Sequence, residues 1–177
     1  TSSHQPRCVG SSHRRLARPR RQARDRDAVE PGRLDGTIDA RVSDHTPGDE
    51  DAKTLPFAEA EPGATGLELL LSLACKWQRD SKGGAVNLMR ALAVLTCDAA
   101  RVLGPALASF EASAGKLVVG GVADVCVFDP AAEWTVEPSA LRSPGKHTPF
   151  SRFQLPAKVR RTLVGGPVGF GADQTAG

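Results

Sequence analysis

The sequence predicts an α/β chain, on three observations met in order along it. A short β-favouring run, TIDARV (Thr37–Val42), empties into a polar loop; apolar residues recur at helical spacing from Leu67 to Trp77; and Val-rich alternating runs follow Gly115. At 177 residues and a net charge of +3, the chain has the size of one ordinary domain, or of a small domain with tails.

The first 31 residues differ from the rest. Arg7, Arg14, Arg15, Arg18, Arg20, Arg21, Arg24 and Arg26 crowd a stretch almost free of large apolar side chains, and the first lysine is Lys53. Such a composition cannot bury enough surface to offset its ordering entropy, so residues 1–31 are expected to be disordered. Three readings stay open: a nucleic-acid tail, a solvated extension, or sequence translated from a shifted frame of a GC-rich gene. The first is disfavoured because no aromatic residue is interleaved for base stacking. The Thr1 start without methionine suits an incomplete reading frame.

TIDARV reads as a strand delivering Ser43, Asp44, His45 and Thr46 into a loop. That loop is long and acidic, with Asp49, Glu50 and Asp51, and closes through Pro62 and Gly63. Leu67, Leu70, Leu71, Ala74 and Trp77 then describe one helical face, ended by Gly83 and Gly84. Detached from a partner, that face would be uncovered. A second helix is expected from Asn87 to Leu95. A third follows Asp98 as N-cap and stops before Gly104 and Pro105.

Beyond Gly115 the runs KLVVG, ADVCVFD, EWTVE and KVRRTLVGG (Lys158–Gly166) predict a small β unit. Cys75, Cys97 and Cys126 stand in apolar contexts as buried thiols, with no C-x-x-C pair, which suits a reducing, cytoplasmic setting. No unbroken apolar run of about 20 residues suggests a membrane span.

Taken alone, Asp44 and His45 could simply cap the following turn. Several ordered motifs add to that reading: DGTIDA-x-x-SDHTP, DAKTLPFAEAEPGATGLELLL, GKLVVGGVADVCVFDP, GKHTPF (Gly145–Phe150) and VRRTLVGG (Val159–Gly166). Together, over about Gly32–Phe170, they resemble the C-terminal part of dihydroorotase, in the amidohydrolase superfamily.

The resemblance implies an α/β fold: the C-terminal fragment of a (β/α)8 amidohydrolase barrel, whose chemistry sits at the strand ends, plus part of a small β-sandwich domain. Residues 32–110 would supply the last strand, active-site loop and helices, residues 111–170 the sandwich portion, and 171–177 a tail. The implied reaction interconverts N-carbamoyl-aspartate and dihydroorotate in pyrimidine synthesis. Asp44 would be the catalytic aspartate that contacts the family's zinc and shuttles a proton. The run Ala60–Glu68 resembles the substrate loop, with Ala60, Pro62 and Gly63 binding substrate through closely approaching backbone, and Gly66 shaping it.

Two departures accompany the resemblance. The family's H-x-H pair, carboxylated lysine and later histidines have no counterpart, since the histidines are His4, His13, His45 and His147. One aspartate is short of the three protein ligands of a catalytic zinc, so zinc is not expected on this fragment alone, and no turnover is expected from it. Gly48 stands where the commoner pattern D-H-x-P-H has a substrate-contacting histidine. This is similar to catalytically silent dihydroorotase-like subunits that support aspartate carbamoyltransferase, the second reading. Hydantoinase and allantoinase share the barrel chemistry. Lys146 and His147 read as loop residues.

Overall fold

The computed structural model describes Gly32 and residues 36–49, 51–81, 87–110 and 112–172. The arginine-rich head, with its three readings, and most of the expected tail lie outside the described residues. Two compact units divide the described residues: those within 43–69 and 135–153 belong to the first, and those within 32–42, 70–134 and 154–172 to the second.

In the second unit, α1 (Leu70–Ser81) packs on the sheet strand β2 (Gln154–Leu163) and on α2 (Leu88–Ala93). The predicted helical face is shifted. Leu73, Ala74 and Cys75 are buried, with Ser72 and Gln78, whereas Trp77 is only half-buried under the Arg41 guanidinium, 4.1 Å from its ring centroid. Apart from Leu67, which is exposed, the face expected to be uncovered is therefore covered from within the chain, where Cys75, Ala91 and Ala157 form a cluster joined by Leu71, Leu88 and Phe128. Exposed apolar side chains lie instead at Val102, Leu103, Phe110, Leu117, Val118 and Val119.

The helix expected over Asn87–Leu95 runs from Leu88 to Ala93, and Asn87 is its N-cap, with Oδ1 accepting from Arg90 N at 3.1 Å. The third helix, α3 (Cys97–Leu103), corrects the expected cap: Thr96 holds the N-cap position, and its hydroxyl turns back to Leu92 O at 2.8 Å. Asp98 lies one residue inside the helix. It is buried because two guanidinia hold it, Arg90 at 2.5 Å and Arg101 at 2.8 Å. Arg90 also donates to Ile38 O, and Arg41 N donates to Val94 O at 3.0 Å.

Those last bonds explain a second correction. Thr37–Val42 joins no ladder among the described strands. A strand's backbone groups need a neighbour. Here the amides of Ile38 and Arg41 go to Gly32 O and Val94 O, both outside the sheet.

By length and composition, the helical stretch Leu88–Phe110 does meet the measure of a membrane span, contrary to the expectation of no such run. In the fold it is three pieces, α2, α3 and a 3-10 helix Gly104–Phe110, with the Arg90–Asp98–Arg101 cluster inside it.

The described strands form one three-stranded sheet in the order β1-β2-β3. The runs ADVCVFD and EWTVE merge into a single strand, β1 (Val125–Thr135), and KVRRTLVGG lies mainly in β2. A short β3 (Val168–Gly171), unanticipated from periodicity, pairs antiparallel with β2: Arg161 faces Gly171, Thr162 faces Phe170, and a slip after Thr162 sets Leu163 opposite Val168. KLVVG is not a strand. Leu117 and Val119 stand in solvent around a turn, where Gly121 N bonds Val118 O. The thiols divide as well: Cys75 is buried, Cys97 half-buried and Cys126 exposed.

Candidate functional site

The site predicted from sequence falls in the first unit, built from Ser43–Gly48, the Ala60–Glu68 loop and the Leu141–Thr148 loop. Asp44 is exposed and adopts a left-handed backbone with φ 50°. An L-residue pays roughly 1–2 kcal/mol for that conformation, which Asp tolerates better than most. The Thr46 hydroxyl donates to Asp44 O at a long 3.4 Å. Strained backbone of this kind gathers at functional sites.

The residues flanking Asp44 hold the predicted substrate loop. Thr46 N donates to Ala64 O at 3.0 Å. His45 Nδ1 accepts from two amides, Gly66 N at 3.2 Å and Leu67 N at 3.3 Å. Gly63, at φ 138°, lies so close to this segment that an added Cβ would stand 2.5 Å from Thr46 O. A Cβ on Gly66 would come within 3.0 Å of Ser43 O. The Gly-rich spacing thus serves close approach of one backbone to another.

The loop is buttressed from its other side by the segment that reads from sequence as a mere linker. Thr65 N donates to His147 O at 2.7 Å and Thr65 Oγ1 to Gly145 O at 2.5 Å. Both Glu68 carboxylate oxygens accept backbone amides, from Arg142 and Ser143, each at 2.9 Å. The Lys146 ammonium donates to Leu141 O, closing that loop on itself. Lys53 is buried, with its ammonium donating to Glu61 O.

Of the sequence-predicted substrate contacts, Pro62 is exposed, whereas Ala60 and Gly63 are buried within the loop. Asp44 and the loop are brought into one unit. His45, Thr65, Glu68 and Gly145 form its framework, and none of them is marked by periodicity. His45 is flagged in the sequence as a possible turn cap and Glu68 as the end of the Ala60–Glu68 run, whereas no sequence signal marks the pairing of Thr65 with Gly145.

The fit to zinc is poor. Among the described residues no group of three or more His, Cys, Asp or Glu is placed to hold a metal ion. Asp44 supplies one carboxylate, and the Nδ1 lone pair of its neighbour His45 is already engaged by two amides. A catalytic zinc takes three protein ligands.

No protein-family model matches the chain. It is 37% identical over 150 residues to a dihydroorotase of Citrifermentans bemidjiense, a match covering 85% of this chain and 33% of the relative. It is 41% identical over 155 residues to a dihydroorotase-like protein of Pseudomonas putida, covering 88% of this chain and 34% of the relative. A solved D-hydantoinase (dihydropyrimidinase) from Thermus sp. superposes with a TM-score of 0.78 at 22% identity, covering 94% of this chain and 35% of that one, a likeness of fold. The chain spans about a third of the length of the curated relatives it matches. The longer match exceeds the stretch from Gly32 to the C-terminus, so the similarity reaches into the arginine-rich segment.

Proposed function

Because the chain belongs to the dihydroorotase family over the roughly 150 residues matched, we propose that it is the part of a dihydroorotase-type cyclic amide hydrolase that carries the proton-shuttling aspartate and the substrate loop. The observation that supports this most directly is the left-handed, exposed Asp44 beside backbone that holds the Ala60–Glu68 loop. The substrate pair in this reading is dihydroorotate and N-carbamoyl-aspartate, in pyrimidine synthesis, in the cytoplasm. The three-stranded sheet would be a portion of a β-sandwich, and Thr37–Val42, unpaired in this chain, would find strand neighbours only beside the rest of a (β/α)8 barrel.

The chemistry assigned to this chain is proton transfer. Water oxygen bonds to the ring carbonyl carbon and the C–N bond breaks. The Asp44 carboxylate takes the water's proton and returns it to the departing nitrogen, a role worth about 10²–10⁴ in rate. The backbone of Pro62–Gly63 would border the ring. In intact relatives zinc would polarise the carbonyl. The described residues do not make that centre, so no step here is drawn through it, and the chain alone is expected to be inactive.

The test is a hybrid in which this chain replaces the matching third of the Citrifermentans dihydroorotase. The hybrid should hydrolyse dihydroorotate, and Asp44→Ala should lower kcat at least about 10²-fold. An active hybrid indifferent to Asp44→Ala would sink the reading; zinc-dependent turnover by the separate chain that vanishes in Asp44→Ala would overturn only the expected inactivity of the chain alone.

A second reading rests on Gly48 and on the missing metal ligands: a non-catalytic subunit that braces aspartate carbamoyltransferase. Sedimentation of the two at micromolar concentration decides it, association supporting the reading and independent boundaries rejecting it.

A further inference from the structure

We propose that His45 is a positioning residue that registers the substrate loop to Asp44, by gathering two loop amides on one ring nitrogen. The inference deepens the reading of Asp44 and rests on it for the loop's purpose. The geometry itself is independent of that purpose.

His45 Nδ1 lies 3.2 Å from Gly66 N and 3.3 Å from Leu67 N, residues 21 and 22 positions further on. Both contacts have the amide as donor, so Nδ1 carries a lone pair and the neutral ring bears its hydrogen on Nε2. The donors are amides at the entry of the 3-10 helix Leu67–Leu69, which leads directly into α1. Amides at a helix start have no carbonyl within the helix to bond. The imidazole therefore does for this turn what a capping oxygen does elsewhere, but from a different segment.

Two close backbone approaches frame that contact. Gly63 meets Thr46 O on one side and Gly66 meets Ser43 O on the other, with Thr46 N bonded to Ala64 O between them. The loop lies flat along Ser43–Thr46, and His45 contributes the side-chain tie in that seam. Adjacent Cα atoms are about 3.8 Å apart, so whatever fixes His45 against Gly66 and Leu67 also fixes the Asp44 backbone against the loop. The left-handed φ of Asp44 is the turn that lets consecutive side chains serve two tasks.

Three variants of the 177-residue chain separate positioning from bulk. His45→Asn keeps an acceptor near the Nδ1 position, His45→Gln places it further out, and His45→Ala removes it. In ¹⁵N-labelled protein the wild-type Nδ1 should give the signal of an unprotonated, hydrogen-bonded ring nitrogen. Amide exchange at Gly66 and Leu67 should accelerate about tenfold in His45→Ala and about as much in His45→Gln. His45→Asn should return it close to wild type, with exchange at core amides such as Ala91 unchanged throughout. A hydrogen on Nδ1, unaltered Gly66 and Leu67 exchange in His45→Ala, or failure of His45→Asn to restore it overturns the proposal. Inactivity of every hybrid enzyme would defeat the catalytic reading and leave the exchange result to decide the role of His45.

Discussion

The indole N–H of Trp134 donates to Ser72 Oγ at 3.2 Å, and that hydroxyl donates its own hydrogen to Ala157 O at 2.7 Å. One buried serine thereby ties α1 to both β1 and β2. Ala157 sits at φ 63° inside β2, and its carbonyl accepts the serine hydroxyl there. Ser72→Ala should cost about 1–3 kcal/mol, because it strands a donor and an acceptor at once. Urea unfolding followed by tryptophan emission measures it; a midpoint equal to wild type would mean water replaces the hydroxyl.

Gly63→Ala should destabilise the loop by about 1–3 kcal/mol, since its φ of 138° and the 2.5 Å approach to Thr46 O both exclude a Cβ. Proteolytic nicking between Ala60 and Glu68 is the local readout. Resistance equal to wild type would contradict the close packing.

Glu68→Ala removes acceptors from the amides of Arg142 and Ser143 and should cost about 1 kcal/mol, discounted for solvent exposure. Glu68→Gln keeps one acceptor oxygen and should lose about half of that, without charge assistance. Amide exchange at Arg142 and Ser143 distinguishes them. Equal protection in all three proteins would mean that the carboxylate contributes nothing.

Arg160 beside Asp129, with its guanidinium 3.0 Å from the carboxylate, holds Asp129 below its usual 3.8, and the amides of Ala131 and Ala132 act in the same direction. A carboxyl lowered in the folded state binds its proton more weakly there than in the unfolded chain. Its contribution to stability is therefore present above pH 3.8 and is lost as pH falls through the folded value. The stability difference between wild type and Asp129→Asn should shrink on acidification below that point. A difference independent of pH would refute the assignment.

Burial pushes the Cys75 thiol above its ordinary value of 9.0. In a Cys8→Ser background, Cys75 should be the last thiol alkylated, reacting only on unfolding, while Cys126 is open to reagent. Labelling of Cys75 in the folded chain at neutral pH would show that the α1–β2 packing opens.

Local signals carried the helices well. The start of α2 at Asn87, Gly104 as a stop and the Leu-rich α1 follow from chemistry within a few residues. The burial of α1 was less legible, because three elements contact it and the covered arc is wider than one stripe. KLVVG has strand composition but no neighbour to pair with, and composition cannot supply one. Asp44 was legible only as a member of a motif. The ties made by His45 and Glu68 span 21 to 75 positions, and no periodicity encodes contacts of that range.

Among the described strands, the order β1-β2-β3 leaves two with an open flank, and each is poorly suited to recruit another chain. β1 carries Pro130, which has no amide hydrogen to offer, and next to it Asp129 occupies the amides of Ala131 and Ala132. β3 is only four residues long and slips register after two pairs. A sheet with one flank interrupted by proline and the other too short to template growth resists edge-to-edge stacking. For this chain, self-association would therefore proceed through the exposed side chains around Leu103 and Val119 and would weaken when those are made polar, with the strands left as they are.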